Sequence, residues 1–316
     1  MNTAQRNSLV VSSFIIFVPL SFVALASGIS LIGLLVTVFF MALVLPLPLS
    51  DSGTVRYQTI PWVTITIIII NIVLLFWWQG FLDAISSFSS VDDVTASTAW
   101  HNFESHLWTY GIRSRYIYEG YSIGAFTSIT SVFMHGDHNH LIGNMVFLWA
   151  FGRRLEDACG HWRFLVYYLL AGIIAGLGSI YLSPPHPSGF DVPSIGASGA
   201  VFGVMGAYLI LFPTSRIQSL WLPGIFPIRF LIMFFARVFE EDDYKRFRWT
   251  INLPSILVIG LYAGYNLLDA RDILGGEYLS NAGGTLAHVA GFLASILIFL
   301  FVRKDLLRRY IQGRNL

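Results

Sequence analysis

Residues 8–47 run for forty positions without one charged side chain. A helix that crosses a bilayer needs about 20 apolar residues, so this stretch is about two spans long. The Ser27-Gly28 pair near its middle is the natural turning point, which predicts two helices at about 8–26 and 29–47, ended by Pro46 and Pro48. No small-residue cleavage site follows a short apolar run, so the stretch reads as retained membrane segments and not as a signal peptide. The rest of the chain agrees. Only 12 % of its 316 residues are charged and 55 % are hydrophobic, against a charged share of about 25 % in soluble domains. The fold class implied is all-α, a polytopic transmembrane helix bundle. A single cysteine, Cys159, excludes an internal disulfide.

A polar spacer from Asp51 to Gln58 separates this N-terminal extension, residues 1–60, from a membrane domain over 61–303. Pro61-Trp62 is a helix start with an interfacial ring. Spans are expected at 62–79, 138–153, 162–182, 198–212, 253–270 and 283–302. Between the first two of these, residues 80–130 form a polar and aromatic outer loop, too long for an idle connection. Pro184, Pro185, Pro187 and Pro193 make 183–195 irregular. Residues 222–238 are apolar but broken by Pro223, Pro227 and Arg229, which reads as an interfacial or re-entrant segment. The charged run from Glu240 to Arg248 reads as a solvated loop, and 304–316 as a basic cytoplasmic tail.

With a cytoplasmic N-terminus and eight spans, sixteen of the nineteen Lys and Arg residues fall inside, leaving Arg113, Arg115 and Arg271 outside. That split satisfies the positive-inside rule and predicts a plasma (inner) membrane protein whose polar face opens outward. Depth gives a second check. Ser198 to Phe212 is fifteen residues, roughly 22 Å of helix against a hydrocarbon core of roughly 30 Å. Ser198 therefore starts its helix roughly 8 Å below the outer boundary, and His288, five residues into its own span, lies at roughly the same depth. Irregular backbone at that level is tolerated only where it lines a water-filled cavity, which hydrolysis would need.

The sequence Gly196-Ala197-Ser198-Gly199-Ala200, continued by Phe202, Gly203 and Ala207, sets one hydroxyl among residues with almost no side chain. Small residues alone are what any closely packed membrane helix shows. His288 changes the balance, because an ionisable residue within a span is costly and marks function. It too stands among small residues, Gly283, Ala287 and Gly291. Two such faces let two helices approach until the imidazole can take the proton of the Ser198 hydroxyl. A third polar cluster follows Met134. His140 and Asn144, four residues apart, share a helix face and can both donate to an oxyanion. A metal set of His135, Asp137, His138 and His140 is the rival reading, without the HExxH pattern to support it.

These motifs resemble the rhomboid intramembrane serine proteases. The resemblance rests on His135, His140 and Asn144 in one helix, on GASGAVFGVMGAY from Gly196 to Tyr208, and on the small residues around His288 from Gly283 to Gly291. It covers residues 62–302 and implies a six-helix core, with the two N-terminal helices as additions. It also implies a Ser198–His288 dyad, with oxyanion help from His140, Asn144 and the Ser198 amide. Membrane-anchored proteins cut in or near a transmembrane helix would be the substrates, with no metal, organic cofactor or nucleic-acid partner. Where the family often has a Trp-Arg pair in the first loop, this chain has Phe126-Thr127. Where many members stack a tyrosine on the catalytic histidine, it has Phe202. Two other classes remain: a catalytically silent rhomboid-like protein that binds membrane clients, and a transporter whose polar residues line a path.

Overall fold

The computed structural model describes Ala42, residues 45–51, 59–81, 93–120, 123–182, 191–221, 250–275 and 282–302, and Lys304, Arg308 and Gln312 of the tail. Apart from Ala42, the expected N-terminal helix pair up to Val44 lies outside these residues, as do the spacer 52–58, the segment 222–238 and the charged run after it. What is described is mostly helical, as the uncharged runs require. Helix α1, Trp62–Val73, continues through a π turn, Leu74–Trp78. The long loop holds α2 (Asp93–Tyr110), α3 (Ser114–Tyr118) and α4 (Ile123–Thr130). Then come α5 (His138–Phe147), α6 (Arg153–Cys159), α7 (His161–Leu182) and α8 (Ser198–Leu211). The last helices are α9 (Ser255–Leu274), α10 (Ala282–Ala294) and a short α11 (Ile298–Phe301). Among the described residues, α7 is the one helix long and apolar enough to cross a bilayer by length and composition. Trp62–Trp78, Ser198–Leu211 and Gly283–Leu297 are apolar but shorter.

The all-α expectation needs one correction. Strands β1 (Leu47–Asp51), β2 (Arg216–Leu220) and β3 (Ile251–Pro254) form a three-stranded antiparallel sheet in that order. It arises because β1 follows the proline that ends the N-terminal run, and because Pro213 and Pro254 stop helices from continuing through the flanking loops. Asp51, the first residue of the expected polar spacer, belongs to β1. It is buried and pairs with Arg154 at 2.6 Å, while Arg153 donates to Ser50 Oγ at 3.0 Å. The same turn of α6 holds the start of α1. Glu156 accepts from the Val63 and Thr64 amides at 2.9 and 2.8 Å and from the Thr64 hydroxyl at 2.7 Å. A carboxylate there satisfies donors that the first helical turn leaves unpaired and complements the helix dipole.

Helix α8 is buried on every side from Gly199 to Tyr208, which a helix apolar all round must be. Its neighbours are α7 and α10. A methyl group on Gly199 would strike Ala175 of α7, and one on Gly291 would strike the Gly199 carbonyl. Glycine at these two positions sets how closely α8 and α10 pack, the device membrane helices use where side-chain burial drives no association. The Tyr167 hydroxyl completes the α7 contact by donating to the Gly203 carbonyl at 2.6 Å. Around this centre runs a girdle of exposed aliphatic side chains, among them Ile69, Val73, Leu170, Leu261, Leu268 and Leu293.

Candidate active site

Ser198 is the first residue of α8, and the backbone just before it decides where its hydroxyl points. Gly196 sits at φ +122°, a conformation that glycine adopts without penalty, and its amide donates to the Ser131 carbonyl at 2.9 Å. A Cβ on Gly196 would lie 2.7–2.8 Å from the His140 ring and 3.6 Å from Ser198 Oγ. The imidazole of His140 and the serine hydroxyl thus flank one glycine.

One helical turn into α8, Phe202 lies flat against His288 of α10, with ring centroids 4.3 Å apart and planes 7° from parallel. The stack fixes the plane of the imidazole on the face of α8 that carries Ser198. His288 Nδ1 bonds to Asn266 Oδ1 of α9 at 2.7 Å. Among the described residues no hydrogen bond joins Ser198 to His288; catalytic bonds of this kind tighten around substrate.

Asp137 caps α5 by accepting from the His140 amide at 2.9 Å. Asn144 is buried, and its amide donates to His135 Nε2 at 3.0 Å. His135 is itself gripped by Gln79, which donates to its carbonyl at 2.8 Å and accepts from its amide at 3.3 Å. Asp137 and His135, two members of the alternative metal set, are therefore committed to a helix cap and to Asn144.

Two of these residues have no place in the sequence reading. Asn266 and Gln79 are uncharged polar residues in or at the end of apolar spans, and that alone was the signal available. The loop between α1 and α5 is also anchored differently from the Trp-Arg pattern. Phe126 points outward, 55 % exposed, and Thr127 is buried. The loop is tied instead by Arg113, which pairs with Asp191 at 2.9 Å, and by two backbone bonds between Ile112 and Ser194 at 3.0 and 2.8 Å. These bonds hold residues 191–197 across the top of a small cleft beside Ser198, lined by Ser131, Gly172, Ala175, Ser194, Gly199 and Ala287.

The fold is a helical bundle with a serine at the start of a buried central helix and, on the neighbouring helix, a histidine stacked on that helix's Phe202. Residues 124–305, more than half of the chain, match the Rhomboid domain, and the chain belongs to the rhomboid family, whose members are integral membrane proteins. It is 34 % identical over 197 residues to Rhomboid-like protein 11, chloroplastic, of Arabidopsis thaliana, 61 % of this chain and 58 % of that one. It is 32 % identical over 121 residues to Rhomboid protein 1, mitochondrial, of Saccharomyces cerevisiae, 38 % of this chain and 34 % of that one. It is 35 % identical over 97 residues to the putative rhomboid protease YdcA of Bacillus subtilis, 29 % of this chain and 46 % of that one. Each match spans less than two thirds of the relative's own length. The expected plasma-membrane location finds no support here, since two of these relatives are mitochondrial and chloroplastic by name.

Proposed function

We propose that this chain is an intramembrane serine endopeptidase that cuts membrane-anchored proteins in or near a transmembrane helix. The observation that carries the reading is the parallel stack of Phe202 on His288, which holds the imidazole on the Ser198 face of α8. Ser198 Oγ attacks the scissile carbonyl while His288 takes its proton. The developing oxyanion is met by the Ser198 amide, by His140 across Gly196, and by Asn144 once substrate draws its amide from His135. The leaving amine takes the proton back from His288, and water then hydrolyses the acyl-enzyme by the same base. The small side chains lining the cleft favour a small residue at the point of cleavage.

The test is cleavage of a transmembrane reporter by purified protein in proteoliposomes, beside labelling of Ser198 by a fluorophosphonate. Wild type is expected to cleave and to label, and Ser198→Ala to do neither. Cleavage that survives Ser198→Ala would overturn the assignment. A folded wild-type protein that neither labels nor cleaves would instead make it a silent, client-binding relative.

A further inference from the structure

Helix α9 turns Val258, Ile259, Ala263, Asn266, Ala270 and Ile273 inward. Five of these six are apolar. From Ile259 onward the spacing alternates four and three, one continuous helix face. An amide in that stripe needs partners, because a buried polar group without them is costly. Asn266 is 8 % exposed, and both ends of its amide are engaged. Nδ2 donates to the Tyr262 carbonyl at 2.9 Å, and Oδ1 faces His288 Nδ1 at 2.7 Å.

The first bond settles the second. A backbone carbonyl can only accept, so the NH2 group must face Tyr262 and the oxygen must face the histidine. That oxygen can only accept, so His288 must carry its proton on Nδ1. A neutral imidazole protonated there has its lone pair on Nε2, the nitrogen left to receive the serine proton. Phe202 fixes the plane of the ring, and Asn266 fixes its rotation within that plane and its tautomer. Once the serine proton arrives, the same Oδ1 accepts from an imidazolium, and a hydrogen bond to an ionised donor is the stronger kind.

We propose that Asn266 is a positioning residue for His288, making the site a Ser198–His288–Asn266 relay spread over α8, α10 and α9. The proposal rests on the serine-protease reading. Asn266→Leu keeps the bulk and removes the acceptor, and Asn266→Ala is a second acceptor-free variant should leucine hinder folding. Asn266→Asp restores an acceptor: ionised it accepts a hydrogen bond from His288 Nδ1–H, and protonated it can donate to the Tyr262 carbonyl and still accept from His288.

Steady-state cleavage of a transmembrane reporter in proteoliposomes separates the outcomes. Each acceptor-free variant should lower kcat on the order of tenfold to a hundredfold, at or below the lower end of the range of about 10²–10⁴ for a whole general base. KM should stay within about twofold, fluorophosphonate labelling of Ser198 should slow in parallel, and Asn266→Asp should recover most of the loss. Unchanged kcat in the acceptor-free variants, or an aspartate variant no better than leucine, would overturn the proposal. Ser198→Ala run alongside separates the two levels. If it still cleaves, the protease reading itself falls. If it is inactive while Asn266→Leu is fully active, only the positioning role falls.

Discussion

A hydroxyl on one helix and an imidazole on another can meet only where nothing stands between the helices, and in this molecule that condition rests on single glycines. A methyl group on Gly291 would collide with the Gly199 carbonyl, so α8 and α10 would have to separate one residue after Ser198 and three after His288. Overpacking of this kind costs about 1–3 kcal/mol. Gly264 of α9 provides the contrast, since a Cβ there meets nothing within 4 Å and alanine in a helix is favoured over glycine by about 0.5–1 kcal/mol. Gly291→Ala is therefore expected to lower the melting temperature in detergent and to slow fluorophosphonate labelling of Ser198 at least tenfold. Gly264→Ala should melt no lower than wild type and label normally. Equal behaviour of the two would remove close approach as the basis of the site. Ser198 and His288 were legible in the sequence because an imidazole within an apolar span is costly and can face a hydroxyl among small residues, and Phe202 only through the resemblance. Asn266 was not, because an asparagine in an apolar run looks the same whether its amide serves a backbone carbonyl, a lipid-facing water or a histidine on another helix.

At the scale of elements, the helices follow from charge-free length, so the boundaries of α1, α7, α8 and α9 fall close to those read from the sequence. The sheet does not follow from it. Strands β2 and β3 are five and four residues long and pair across a wide sequence gap, and short segments of that kind carry little periodic signal. Nor could the cap on α1 be read, for Glu156 lies 92 residues from Thr64 in sequence. Its carboxylate takes three donors from α1 and a fourth bond from His161 at the start of α7. Glu156→Ala leaves the α1 donors without their acceptor, at a cost of about 3 kcal/mol when buried groups lose charged partners. A fall in melting temperature of several degrees is expected, about half as large for Glu156→Gln, which keeps one acceptor oxygen. The protein that remains folded should label at Ser198 at the wild-type rate, because this cap and the serine lie at opposite ends of α1. An unchanged melting temperature for the alanine variant would show that the cap contributes nothing.

For the whole molecule, the two ends of α1 define a polarity. One end meets Glu156, with exposed Trp62 and Trp162 beside it and the buried Asp51–Arg154 pair close by. The other ends at Gln79, which grips His135, with exposed Trp77, Trp78 and Trp108 at that level. Two tiers of tryptophan about 25 Å apart along a helix of 17 residues, with an aliphatic girdle between them, have the dimensions of a bilayer with interfacial aromatic belts. Among the described residues the charges add direction, since Arg153 and Arg154 lie at the Glu156 end, on α6, and Arg113 and Arg115 in the loop that closes over the cleft. The resulting prediction concerns sidedness. Cys159 is buried, so a cysteine introduced at the surface can be read against a quiet background. Glu119→Cys, in the loop tied over the cleft, should react with a membrane-impermeant maleimide added to sealed vesicles on the side from which a soluble fluorophosphonate reaches Ser198. Lys304→Cys, beyond α11, should react only after the vesicles are opened. Labelling of both positions from the same side would mean that the site and the basic tail share a face, and the orientation drawn from charge would be wrong.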